Sequence, residues 1–239
     1  MNCIICLKIG DAYSPDYVNN LYKAVRKYTD NDFICFTDDS TGIDPGVICH
    51  TMLPRSSEGW WPTWSKIEIF GREELRWYDK KVYFDLDMVI QGDITPILNH
   101  DADWAMIRCK WKGIKFRIDR PNVPYLNSSC MVWKDISWIY KKWESDWRSI
   151  VKNYIGTDVW YHRNKITATC LPDFFYSYRE GDRPSHYWEN DCQPHFEYMP
   201  DYLVCLFHQE PNIHELDYEH VLYKTWNDTL WYLQTVPCF

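Results

Sequence analysis

Lys80–Gln91 reads KKVYFDLDMVIQ: two lysines, a short apolar run, two carboxylates one residue apart, then more apolar residues. Val82, Tyr83 and Phe84 behind the lysines suit a buried strand. Open α/β sheets bind ligands outside the carboxyl ends of their strands, and that is where Asp85 and Asp87 would stand. Two carboxylates so close repel unless a cation neutralises them. Mg2+ or Mn2+, held by a few carboxylate oxygens and completed by phosphates and water, is the matching ion. The stretch therefore predicts an enzyme that handles a metal-bound phosphorylated substrate. The bland alternative is two solvated Asp residues in a loop, since D-x-D arises by chance in an acidic chain.

With 239 residues the chain can bury a sizeable core, and one α/β domain over 1–239 is expected rather than two small ones. The 26 basic and 34 acidic residues give a formal charge of 26 − 34 = −8, and basic residues never run beyond two. That argues against nucleic acid or an anionic membrane as the main partner. A phosphate-bearing ligand stays compatible, because one bound metal inverts the local field.

The ten cysteines read as a reduced set. Cys3, Cys6, Cys35, Cys49, Cys130 and Cys205 lie in apolar runs, where a thiol acts as a small hydrophobe. Cys3 and Cys6 have redox or zinc spacing, but on a strand residues i and i+3 point to opposite faces and cannot share a metal. There is no signal-peptide pattern and no run of 18 apolar residues, so a soluble, reducing, cytoplasmic location without a membrane span is expected.

Strand-like runs stand at 3–9, 32–37, 47–51, 81–87, 103–107, 126–133 and 202–208. Between the first two, apolar residues at 17, 18, 21, 25 and 28 keep helical spacing, with Ser14 and Pro15 suited to an N-cap and first turn. Further helices are predicted over 64–78, 135–151 and 217–233. The alternation implies a mostly parallel sheet flanked by helices, with a less regular second half from about 100.

Other segments carry chemistry beside a plain alternative. Thr37-Asp38-Asp39 follows the second strand and can meet a ribose or base edge, or simply turn the chain. Tyr13 can stack on a base or pack on its own helix. Lys66, amid aromatics, can pair with the acids or a phosphate, or extend its head to solvent. Asn127-Ser128-Ser129 can orient sugar hydroxyls or form an Asx turn. His208, after a late strand, is a reasonable third ligand for Mn2+, although a lone His there is usually structural.

In order along nearly the whole chain come LKIGDAYSPDYVNNLYKAV, FICFTDD, GWWPTWSKIEIF, VYFDLDMVIQGDI, LNSSCMVW and VCLFHQEP. This ordered set resembles the metal-dependent, DxD-type GT-A glycosyltransferases, nearest to bacterial and viral ones related to the glycogenin type. The resemblance implies a Rossmann-like nucleotide-diphospho-sugar transferase fold. Residues 1–100 would form the nucleotide-sugar half, and 101–239 the acceptor half with a C-terminal packing helix. It implies Asp85, Asp87 and His208 as ligands of Mn2+ or Mg2+, with Asp85 also near the donor. Lys8, Tyr13, Thr37 and Asp38 would line the nucleoside pocket, and Lys66 with Asn127, Ser128 and Ser129 would face the donor sugar. The partners implied are a nucleoside-diphosphate sugar, UDP-linked by preference, and a hydroxyl acceptor such as a glycan.

Two departures stand out. Relatives often read FHGKPKP where this chain has FHQEPNIHE, so Glu210 and Asn212 replace basic residues beside the leaving diphosphate. Relatives also often carry Asp-Gln where this chain has Asp158-Val159. Asp158 and Lys66 are the expected catalytic pair, with Asp191 and Glu189 behind Asp158 should an inverting base be needed. A retaining reaction needs no such base. Trp60, Trp61, Trp111 and Trp188 are candidates for stacking on sugars, though a large ring is first a packing residue.

Two rivals share these residues. FDLDMV resembles the first motif of haloacid dehalogenase-like phosphatases, with Asp85 as nucleophile, but Met88-Val89 replaces the usual Gly-Thr and 84 residues precede it. A non-catalytic sugar-binding module would use the aromatics and leave the carboxylates, Lys66 and His208 without roles.

Overall fold

β1 (Asn2–Lys8) is apolar on both faces, so it must lie inside a sheet covered on both sides. In the computed structural model it does, with β2 (Asp32–Thr37) and β4 (Lys80–Phe84) parallel to it on either hand. The structure describes residues 1–53, 55, 62–111, 125–182, 196–208 and 210–227. With β3 (Ile48–Thr51), β6 (Trp104–Arg108), β7 (Leu126–Trp133) and β8 (Thr169–Cys170), the sheet has seven strands in the order β3-β2-β1-β4-β7-β6-β8. Of the six neighbouring pairs four are parallel, and β7 runs antiparallel to β4 and β6. The loops after β1, β2 and β4 therefore leave on one edge, and β7 begins there.

A core fills each face of this sheet. Ile4, Cys6, Phe33, Val82 and Phe84 pack on one side; Cys3, Ile5, Ile34, Tyr83 and Met131 pack on the other. Cys3 and Cys6 are thus on opposite faces and both are buried free thiols. The first face is covered by α1 (Pro15–Arg26), which buries Tyr17, Val18, Leu21 and Val25. Ser14 has the extended backbone of an N-cap, but its hydroxyl goes to Asp16 instead of a helix N–H.

The predicted helix over 64–78 is broken. A 3-10 turn (Pro62–Trp64), α2 (Ser65–Ile69) and a second 3-10 turn (Glu73–Leu75) replace it. The ring of Tyr140 lies where a side chain on Gly71 would be, so only glycine permits this approach. Tyr140 belongs to α4 (Ser137–Glu144), which with α5 (Trp147–Asn153) replaces the single helix predicted over 135–151. The short α3 (Thr95–Leu98) and α6 (Thr157–Arg163) are additions. Of the helix predicted over 217–233, α7 (Val221–Trp226) is observed, and 228–233 lie outside the described residues.

The strand expected over 81–87 also divides. After Phe84 the chain turns through Asp85–Asp87 and re-forms as β5 (Met88–Ile90), which leaves β7 and pairs with β10 (Val204–Leu206). β10 in turn pairs with β9 (Phe175–Ser177), giving a second, three-stranded sheet. The two carboxylates thus mark the seam between two sheets. No helix among the described residues is long and apolar enough to cross a membrane.

Candidate active site

Two loops meet first at the carboxyl edge. Lys8 closes β1 opposite Thr37 and is nearly buried. The Gly10 N–H donates to both carboxylate oxygens of Asp38, at 3.1 and 2.9 Å, so this Asp ties the loop after β2 to the loop after β1. Gly10 has φ +70°, a conformation that favours glycine. The Thr37 hydroxyl donates to the Asp39 carbonyl at 2.8 Å and accepts the Asp39 N–H at 3.1 Å. Both side chains thus shape the wall of the edge through their own backbone contacts.

The Asp85–Asp87 turn is clamped at both ends. The Asp85 N–H donates to the Ser129 carbonyl, and the Phe207 N–H donates to the Asp87 carbonyl, each at 2.8 Å. Leu86 between them is buried, and both Asp residues are half-buried. Lys66 Nζ stands 2.7 Å from Asp85 Oδ2, and the Tyr83 hydroxyl donates to Asp85 Oδ1 at 2.6 Å. Asp87 has far less support: its Oδ2 accepts from the Tyr13 hydroxyl at 3.3 Å. Burial, and then the Asp85 charge, push the Asp87 carboxyl up to about 7 against the pull of Lys66. Burial alone would lower Lys66, but Asp85, then Asp158, hold its ammonium above the usual lysine range.

Asp158 arrives from α6, a helix too short to announce itself by periodicity. It accepts the Ser128 N–H at 3.2 and 3.3 Å, while the Ser128 and Thr157 hydroxyls stand 3.4 Å apart. Asn127 Oδ1 accepts the Ser129 N–H at 2.9 Å. The register between β6 and β7 shifts here: Met106 faces Met131, but Ile107 faces Asn127. Bulges of this kind commonly re-aim side chains beside functional sites. Of Asn127, Ser128 and Ser129, it is Ser129 that meets Asp85, through its backbone carbonyl.

His208 follows β10, one residue past the Phe207 contact to Asp87. Its Nε2 lies 3.1 Å from Ser177 Oγ and 3.7 Å from Glu180 Oε2, and its ring stacks on Trp111 at 5.6 Å. Trp111 is 1% exposed, so it supports the imidazole and offers no open face to a sugar. Trp60, Trp61, Trp188, Glu189 and Asp191 lie outside the described residues. Ser177 and Glu180 had no sequence signal; their place depends on how β9 registers with β10.

Solved structures share this architecture. The galactosyltransferase LgtC, in complex with donor and acceptor sugar analogues, matches with a TM-score of 0.63 at 14% identity, over 100% of this chain and 98% of its own. The glycosyltransferase GlyE of Streptococcus pneumoniae gives 0.61 at 13%, over 97% of this chain and 61% of that one. The bifunctional glycosyltransferase WbbM gives 0.59 at 12%, over 98% and 50%. The chain has the GT-A glycosyltransferase fold. At the level of sequence, no protein-family model and no curated protein matches it.

Within this GT-A fold, no three His, Cys, Asp or Glu side chains among the described residues form a ready-made metal cage. Asp85 and Asp87 come together, whereas the His208 ring is turned toward Ser177 and Glu180. By chemical type alone, Asp85, Asp87 and His208 match the donors of a divalent cation, although the described residues do not gather them. The Asp87 carboxylate is poorly neutralised, and His208 Nδ1 is buried with no hydrogen-bond partner among the described residues. Carboxylate oxygens with one imidazole suit Mn2+ or Mg2+.

Proposed function

We propose that this chain is a metal-dependent glycosyltransferase. It moves a sugar from a nucleoside-diphosphate sugar, a UDP-sugar by preference, to a hydroxyl of a glycan or another acceptor. One observation carries the reading: at the carboxyl edge of a GT-A sheet, Lys66 pairs with Asp85 and is held charged also by Asp158 and Asp87, three carboxylates acting on one ammonium among the described residues. That excess of negative charge is matched to a cation and, through it, to a diphosphate.

Asp85, Asp87 and His208 would hold Mn2+ or Mg2+, which when bound supplies Lewis-acid stabilisation of the departing diphosphate. The protein's own groups do the rest. Lys8, Tyr13, Thr37 and Asp38 line the nucleoside end of the edge. Lys66, fixed by Asp85, remains charged and can donate hydrogen bonds to the donor; it cannot take a proton. Asn127, Ser128 and Ser129 face the sugar beside it. In transfer, the anomeric C–O bond to the diphosphate breaks and one to the acceptor oxygen forms. The acceptor proton passes to a carboxylate, Asp158 in this reading, if configuration inverts, or to a leaving phosphate oxygen if it is retained.

The phosphatase alternative gains nothing from the fold, since the solved structures that match over nearly the whole chain are glycosyltransferases. The test is UDP release from a panel of UDP-sugars, with Mn2+ and with EDTA, for the wild type and Asp87→Asn. Metal-dependent release that falls at least about 100-fold in the variant supports the proposal. Full activity in a folded Asp87→Asn protein would overturn the ligand assignment.

A further inference from the structure

A pocket of about 190 Å³ lies between α6 and the sheet, lined by Met106 of β6, Leu126 of β7 and Ile166, and by Asp158, Tyr161 and Lys165. The end of the helix shapes its mouth. Lys165 takes φ +54°, a conformation more usual for glycine after a helix, and the Ile166 N–H returns to the Tyr161 carbonyl at 2.9 Å. The chain then runs on into β8, parallel to β6. Lys165 and Thr167 are exposed, so the pocket opens to solvent beside them.

Asp158 joins this pocket to the candidate site. Its carboxylate accepts the Ser128 N–H and acts on the Lys66 ammonium, and the same residue lines the pocket. Tyr161 is the second polar group of the wall. It is 3% exposed, its ring meets Trp104 edge-on at 5.4 Å, and its hydroxyl is buried with no hydrogen-bond partner among the described residues. Burial, and then the Asp158 charge, hold this phenol well above the usual tyrosine range, so it stays an O–H donor. A buried hydroxyl left unpaired is costly and calls for a partner.

Size and lining say what that partner is. A cavity of about 150 Å³ accepts benzene. A somewhat larger one, apolar along Met106, Leu126 and Ile166 but polar at Asp158 and Tyr161, suits a six-membered ring that carries hydroxyls. The geometry points to this pocket as a sugar-binding subsite: it takes one ring of a carbohydrate acceptor, with the Tyr161 hydroxyl donating to a sugar oxygen and Asp158 beside a sugar hydroxyl. Calling that sugar the acceptor rests on the proposed function; a sugar site under α6 does not.

Saturation-transfer NMR on the full chain, with the methyl glycosides of glucose, galactose and N-acetylglucosamine, tests it. At least one of the three should bind the wild type, and should still bind with saturating UDP and Mn2+ present. Thr167→Trp, which fills the mouth from an exposed position, should abolish the signal. Tyr161→Phe should bind about 2–10-fold more weakly, yet melt no lower than the wild type, because it gives up an unpaired hydroxyl. A structural role for that hydroxyl would instead lower the melting temperature. No binding to the wild type, equal binding in Thr167→Trp or Tyr161→Phe, or displacement of the sugar by UDP would overturn the inference. Failure of UDP to bind with Mn2+ would strike at the proposed function instead, and sugar binding lost in Thr167→Trp would still support the site under α6.

Discussion

Asp87 is the residue where the chain bears an electrostatic cost that a bound ion would remove. Its carboxyl is pushed up to about 7, against about 3.9 in an unfolded chain. Below about pH 4 both states are protonated and nothing is lost. Between there and about 7 the unfolded chain ionises more readily, so stability of the metal-free protein falls with rising pH, and the full penalty is present above 7. Asp87→Asn should therefore stabilise the metal-free protein at pH 8 by about 1–3 kcal/mol and by much less at pH 5. Urea unfolding in EDTA at the two pH values measures this; equal differences at both would contradict it. Lys66 has the opposite character. Lys66→Met leaves Asp85 without its cation, so we expect a loss of about 1–3 kcal/mol, partly restored by Mn2+, in thermal unfolding with and without the metal.

At the scale of elements, what could be read from sequence follows from how much each element declares in its own residues. β1 and β2 are built on apolar runs and β7 ends in one, and all three were legible to within a residue or so. The Asp85–Asp87 pair was legible for the same reason, standing at the end of such a run. β5, β9 and β10 have three residues each and exist because they pair with one another from distant parts of the chain. That is why the single strand expected over 81–87 became two, and why Glu180 could not be foreseen. α6 has one turn fewer than periodicity needs, so Asp158 was found by resemblance alone. The break in the helix predicted over 64–78 comes from Tyr140, about 70 residues away, pressing on Gly71. Gly71→Ala should cost about 1–3 kcal/mol in chemical unfolding. In a Tyr140→Ala background the same change should cost much less, and equal costs in both backgrounds would rule out the contact as the cause.

For the whole molecule, two sheets share one seam, and the candidate site occupies it. β4 supplies Asp85 from the large sheet, β10 leads to His208 from the small one, and the Phe207–Asp87 backbone contact joins them. An ion held by side chains from both sheets would tie them together. The melting temperature should accordingly rise by several degrees with Mn2+ or with Mn2+ and UDP, and not with UDP in EDTA.

The most direct measurement is titration calorimetry of UDP and GDP into the protein, first with Mn2+ and then with EDTA. UDP should bind with Mn2+ and lose that binding with EDTA. Absence of binding to either nucleotide in both conditions would contradict it.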